Sequence, residues 1–240
     1  MVLKKSFNYI NEFFFYIFKN IRKFYLKSSF YNKKISKINN KLLEYKPSLG
    51  VLSCIVKYNK KRKNIEDFYL KSIWEKTDLK DSDYKKLHNF FWLFTIDLNS
   101  SKKITQSIIQ NWIEKNQNYN IKNWEIDTLS KRVISWISNL KLTYEEGEEN
   151  YKYQFNSIIQ KQINHLIYEI NRSEHVDDKM IGCTAIILSG LCFKDEKYIN
   201  YGLDLLIEIK KYSFDNENFP KSRSFRQLTF YLKYFVLIRE

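Results

Sequence analysis

The stretch Asp127-Thr-Leu-Ser-Lys-Arg-Val-Ile-Ser-Trp-Ile-Ser-Asn-Leu140 decides the fold. Leu129, Val133, Trp136, Ile137 and Leu140 recur every three or four residues, which is the period of one helix face and not the alternation of a strand. Asp127 stands where a helix cap is wanted. Upstream, Ile104, Ile108, Trp112 and Ile113 draw a second stripe that ends in the polar run 116–120. Downstream, Phe155, Ile158, Ile159, Leu166, Ile167 and Ile170 predict a long helix at about 151–171. Met180–Phe193 is apolar nearly all round and carries Gly182, Ala185, Ser189 and Gly190, a composition that suits a helix closely approached on most sides. Tyr198, Leu205, Leu206 and Ile209 mark another helix. Phe225, Leu228, Leu232 and Phe235 mark the last, with Ser224 placed to cap it.

The first helices of successive pairs start near 104, 151 and 197, and their partners near 128, 178 and 224, a recurrence of about 46–50 residues. The fold class is therefore all-α, and hairpins of this length build either an α-solenoid or a ring, the (α/α) toroid. An earlier pair near 66–76 and 82–97, with Trp74, Phe90, Phe91 and Trp92, extends the series. At 240 residues and 44% apolar the chain can bury a full core, while 5 Gly and 2 Pro are too few for the many tight turns of a sandwich or barrel.

Charge divides the chain at residue 63. Residues 1–63 hold 16 Lys/Arg against Glu12 and Glu44, which accounts for the whole net charge of +14, and residues 64–240 balance. The reading is a basic, aromatic N-terminal helical extension, 1–63, followed by a toroid-type domain, 64–240. The single alanine, Ala185, and the excess of Lys over Arg fit adenine/thymine-rich codons, so no nucleic-acid partner is expected from charge alone. Peripheral membrane contact through residues 1–30 is one reading of the aromatic, basic start; packing of those aromatics on the main domain is the simpler one. Asn8, Asn11 and Glu12 interrupt the early apolar run and no small-residue cleavage site follows, so no signal peptide is read, which points to the cytoplasm with the periplasm as alternative. The longest uncharged apolar run, Ile181–Phe193, is short of the roughly 20 residues a bilayer needs. Cys54, Cys183 and Cys192 lack metal-ligand spacing, and neither a metal nor another cofactor is expected. Cys183 and Cys192 lie on opposite sides of one helix and cannot bridge.

Three polar segments lead into the second helix of a pair: 123–136, 171–179 and 219–227. The periodicity predicts that they meet at one rim. Lys221, Arg223 and Arg226 crowd a helix start, where the macrodipole opposes them, and so favour an anionic partner. Trp112 and Trp136 read as core, and His88 and His165 as structural. Trp124 is balanced between sugar stacking and a core anchor, and Arg132 between a substrate carboxylate and pairing with Glu125 or Asp127. Glu145, Glu146, Glu148 and Glu149 read as a solvated loop around Gly147.

The order of these motifs resembles the N-terminal helical domain of the heparinase II/III polysaccharide lyases. Trp112-Ile113, Trp124, Ser130-Lys131-Arg132 and Trp136-Ile137 match the family's Trp-Ile helix, its Trp-led loop and its Ser-x-Arg helix ending in Trp-Ile. Glu174-His175 stands at the family's Asn-His turn, Ser189-Gly190-Leu191 at its Ala-Gly-Leu, and Lys221-Ser222-Arg223 with Phe225-Arg226 at its Glu-Arg-Ser and Tyr-His. The resemblance covers roughly 85–240. It implies an incomplete (α/α) toroid that grips an acidic polysaccharide and serves β-elimination beside a uronate carboxylate, completed by a β-sandwich domain in a longer protein.

Such a site needs a donor for the carboxylate, a base, and an acid for the leaving oxygen. The resemblance implies His175, Glu174 and Lys179 as catalytic and Trp124, Asp127, Arg132, Lys221, Arg223 and Arg226 as substrate-binding. Glu174 replaces the family's neutralising Asn, and Phe225-Arg226 its Tyr-His. The alternatives are a non-catalytic acidic-glycan-binding or assembly protein of the same fold, and an α-solenoid that binds protein or nucleic acid.

Overall fold

The structure is a computed structural model that describes residues 16–39, 41–47, 65, 74 and 79–239. The regular structure among the described residues is helical, with isolated bridge positions at Ile96 and between Phe214 and Pro220. In chain order the helices are α1 (residues 16–27), α2 (Ser29–Ile35), α3 (Asp81–His88), α4 (Lys102–Asn116), α5 (Ile126–Ser138), the short α6 (Leu140–Thr143), α7 (Glu149–Glu169), α8 (Val176–Phe193), α9 (Glu196–Ser213) and α10 (Phe225–Arg239). The all-α expectation and the paired spacing are both met, since α4, α7 and α9 alternate with α5, α8 and α10. The expected helix at 66–76 and Cys54 lie outside the described residues.

The partners form a row, α5 against α8 and α8 against α10, while α4 packs on α7 and α9 packs on α8. α8 is the hub. Its small residues admit its neighbours: a Cβ on Gly182 would reach within 3.5 Å of Ser130 on α5, and one on Gly190 within 2.8 Å of the Ile199 backbone on α9. The helix ends in a left-handed Lys194 (φ 47°), whose N–H and that of Asp195 return to the carbonyls of the last turn.

Two sequence expectations are corrected here. The predicted helix over 82–97 breaks after His88, because Phe90 turns left-handed (φ 57°) and drops its ring among Trp112 and Trp136, with centroids 6.0 and 5.1 Å away. Edge-to-face aromatic pairs contribute about 0.5–1.5 kcal/mol each beyond their buried area, which offsets the backbone cost at Phe90. Asp127 is not the cap of α5. Glu125 occupies that position without a side-chain bond, and Asp127 sits in the first turn, paired with Lys131 at 2.6 Å. Ser224 does cap the last helix, accepting from the Gln227 N–H.

The N-terminal part is strapped to the main body. Tyr31 and Ile35 are buried, Tyr31 Oη meets His165 Nδ1 at 2.8 Å, and Asn164 donates to the Ile35 and Lys37 carbonyls. Farther on, Asn39 pairs with Gln160 and Asp195, and the Glu44 and Tyr45 N–H groups reach the Cys192 carbonyl. The opposite face of α1 stays bare, with Phe18, Ile21 and Phe24 exposed. No described helix is long and apolar enough to cross a membrane. The acidic loop 145–149 is not simply solvated, because Glu145 pairs with Lys46 and Glu146 with Lys102.

Candidate functional site

The starts of α5, α8 and α10 come to one end of the row. Gln227, in the first turn of α10, approaches Asp177 in the first turn of α8 at 3.5 Å. Asp178, also in that turn, is half-buried, and its carboxyl is held above the ordinary carboxylate range. Burial is the main cause. The charges of Asp127 and Glu125 push the same way, and His175 and Lys131 oppose them. A carboxyl so placed keeps its proton more readily and can act as a hydrogen-bond donor.

Beside it opens a cleft of about 460 Å³, a volume in the range of small-ligand sites. The loop before α5 supplies Lys122, Trp124 and Glu125, the end of α7 Glu169, the following turn Arg172, and α3 Asp81 and Lys85. Most of these charges are already matched. Lys85 lies 2.8 Å from Glu125, Lys122 lies 3.9 Å from Asp81, and Arg22 pairs with Glu169. Arg172 makes no ion pair among the described residues and is exposed at the mouth. Along the row from the cleft, Lys131 and Lys233 both face the Phe91 ring, at 6.0 and 5.6 Å. Burial, with Lys131 nearby, draws the Lys233 ammonium below its usual value. Burial and the charges of Asp127 and Asp177 keep the Tyr234 hydroxyl protonated.

The residues singled out in the sequence separate into three groups. Asp127 and His175 flank Asp178, and Glu174 and Lys179 stand beside them in the same turn, Glu174 exposed and Lys179 partly so. Trp124 and Arg132 are inside. Trp124 is buried, donates to the Asn116 carbonyl and sets its ring edge-on to His165. Arg132 is fully buried; it donates to the His88 and Asn123 carbonyls and to Gln162, and lies over Trp112 at 4.1 Å. Neither Glu125 nor Asp127 is its partner, and substrate has no path to its guanidinium as placed. The third segment divides. Gln227 joins the rim, whereas Lys221 donates to the Lys211 carbonyl and Arg223 pairs with Asp215 at 2.9 Å, around the separate loop after α9. Arg226 is exposed and makes no ion pair among the described residues.

His88 and His165 are neutral structural groups, held by burial at about 3. Trp112 donates to His88 Nδ1, and His165 Nε2 faces the Trp124 carbonyl. Cys183 and Cys192 are free, buried thiols, pushed up to about 12. Among the described residues no three His, Cys, Asp or Glu side chains gather as metal ligands.

Asp178 belongs to the 171–179 segment expected at the rim but was not singled out within it, and Lys233 and Tyr234 were missed. The Asp177-Asp178 pair just inside a helix start was a visible signal. Lys233 and Tyr234 gave none, because their neighbours come from helices about a hundred residues upstream. Compared with known proteins, the chain matches no family model, no curated protein and no solved structure.

Proposed function

We propose that the chain is a helical domain related to the heparinase II/III polysaccharide lyases. In this reading its paired helices curl as an incomplete (α/α) toroid and bind a uronate-bearing acidic polysaccharide in the rim cleft. The observation that carries the reading is the meeting of Asp127, His175 and Asp178 where α5 and α8 begin, with Gln227 of α10 on Asp177 beside them. A uronate carboxylate entering the cleft meets Arg172, which lines it and makes no ion pair among the described residues.

Elimination then needs a base for the proton beside the carboxylate, and His175 has that chemistry within the same cluster. The proton passes to the imidazole, the electron pair it leaves forms the carbon–carbon double bond as the carbon–oxygen bond to the neighbouring sugar breaks, and the leaving oxygen takes that proton back from the imidazolium. Arg132, Lys221 and Arg223 have no part in this scheme, because the structure commits them elsewhere.

Calorimetric titration of the chain with oligogalacturonate, heparin and alginate fragments, against neutral cello-oligosaccharides, tests the binding. The acidic sugars should bind and the neutral ones should not. Arg172→Gln should weaken binding about tenfold, the worth of one charge-assisted contact. His175→Gln should leave binding in place and remove any absorbance from unsaturated uronate products. Equal binding of neutral and acidic sugars, or none of either, defeats the reading.

A further inference from the structure

A second cleft, of about 310 Å³, lies between α4, α7 and the segment that follows α2, and shares no lining residue with the rim cleft. Its floor is one stripe of α7, in which Gln154, Ile158 and Lys161 stand above one another at helical spacing. Ile113 and Glu114 of α4 form one wall and Ile38 the other. Lys161 is the unusual member, being only 8% exposed. Its ammonium donates to the Gln117 carbonyl at 2.6 Å, just past the end of α4, and lies 5.9 Å from the centre of the Trp124 ring, which leaves it short of a full set of acceptors. No carboxylate pairs with it among the described residues, although Glu114 lines the same cleft. A buried cation without a counter-ion is costly, and such a group lining an open cleft is stabilised by an anion that enters it.

We propose that this cleft binds a small monocarboxylate, its anionic end on Lys161 Nζ, its apolar body against Ile38, Ile113 and Ile158. One cation and the nearby Glu114 favour a single negative charge over a dianion such as phosphate. The three isoleucines favour an aliphatic or aromatic body over a sugar. The proposal goes beyond the glycan reading and stands without it.

Benzoate is the probe, with benzyl alcohol as its neutral counterpart, titrated calorimetrically into the whole chain at pH 7. Benzoate should bind saturably in the millimolar range and benzyl alcohol at least tenfold more weakly. Burial lowers the Lys161 ammonium to about 8, so benzoate affinity should hold below that pH and fall about tenfold per unit once the ammonium has lost its proton. Glu114 and Tyr153 also face the cleft. Glu114→Gln should therefore tighten benzoate binding and leave the alkaline fall in place. Lys161→Met keeps the aliphatic stem and should melt at the same or a higher temperature, because an uncompensated buried charge is gone, while losing benzoate binding. Should that variant not fold, the neutral probe and the pH profile of the unaltered chain still decide. Equal binding of the two probes, a flat profile to pH 9.5, or benzoate binding retained in folded Lys161→Met overturns the proposal.

Discussion

Arg132 carries a full charge into the interior between α3, α5 and α7, and it is met by acceptors and not by a carboxylate. The His88 and Asn123 carbonyls and Gln162 would each lose a donor if it were removed. Arg132→Met should therefore cost about 3 kcal/mol or more, since each buried acceptor left unpaired costs about 1–3 kcal/mol. Urea unfolding measures this, and a loss below 1 kcal/mol would show that the guanidinium does not knit these three elements. His88 and His165 make a second residue-scale prediction. Folded, both are held near 3, whereas in the unfolded chain they take up protons at about 6.5. Their neutral forms therefore contribute stability that is fully present above pH 6.5 and is lost as pH falls toward 3. Between pH 6.5 and 5 the slope of unfolding free energy should climb toward about 2.7 kcal/mol per pH unit, the value for two protons. A slope near zero over that window would show that at least one ring is protonated in the fold.

At the scale of elements, α8 depends on close approach. Gly190→Ala would set a methyl 2.8 Å from the Ile199 backbone nitrogen and 3.1 Å from Tyr198 Cβ, neither of which can swing aside. Gly182→Ala meets chiefly the free end of the Ile170 side chain. Both gain roughly 1 kcal/mol of helix propensity. Overpacking of about 1–3 kcal/mol should outweigh that gain at Gly190 and about cancel it at Gly182. Thermal melts of the pair decide the order. The helices themselves were legible because their signal is local: Leu129, Val133 and Trp136 announce a buried face within two turns. Arg132, one residue before Val133, was not legible as core, because what makes its burial tolerable lies on other elements. Lys221 and Arg223 misled for the opposite reason. A short turn around Asp215 captures the guanidinium and the Lys211 carbonyl captures the ammonium, at a range the helical period does not describe.

The molecule as a whole is held across its two ends by the strap at 29–46. Removing residues 1–47 strips Leu26, Tyr31 and Ile35 from the core. At about 1.5–3 kcal/mol for each fully buried side chain the loss is roughly 5–8 kcal/mol, as large as the whole stability of many domains. The truncated chain should show no cooperative melt. An unshifted midpoint would show that residues 48–240 fold alone. The charge that sets this segment apart gives no sign of the strap, in which Tyr31 and Ile35 are buried and Tyr31 meets His165 of α7 while Phe18, Ile21 and Phe24 stay exposed. The sequence displays the charge and conceals the packing, since Tyr31 and His165 lie 134 positions apart.

That separation has a consequence for how the protein is made. Asn39 leaves the ribosome 156 residues ahead of Asp195, to which it is tied. At translation speeds of about 5–20 residues per second, the leader waits on the order of 10–30 s with Tyr31 and Ile35 bare to water. During that wait the like charge of its dense lysines works against contact between neighbouring nascent chains.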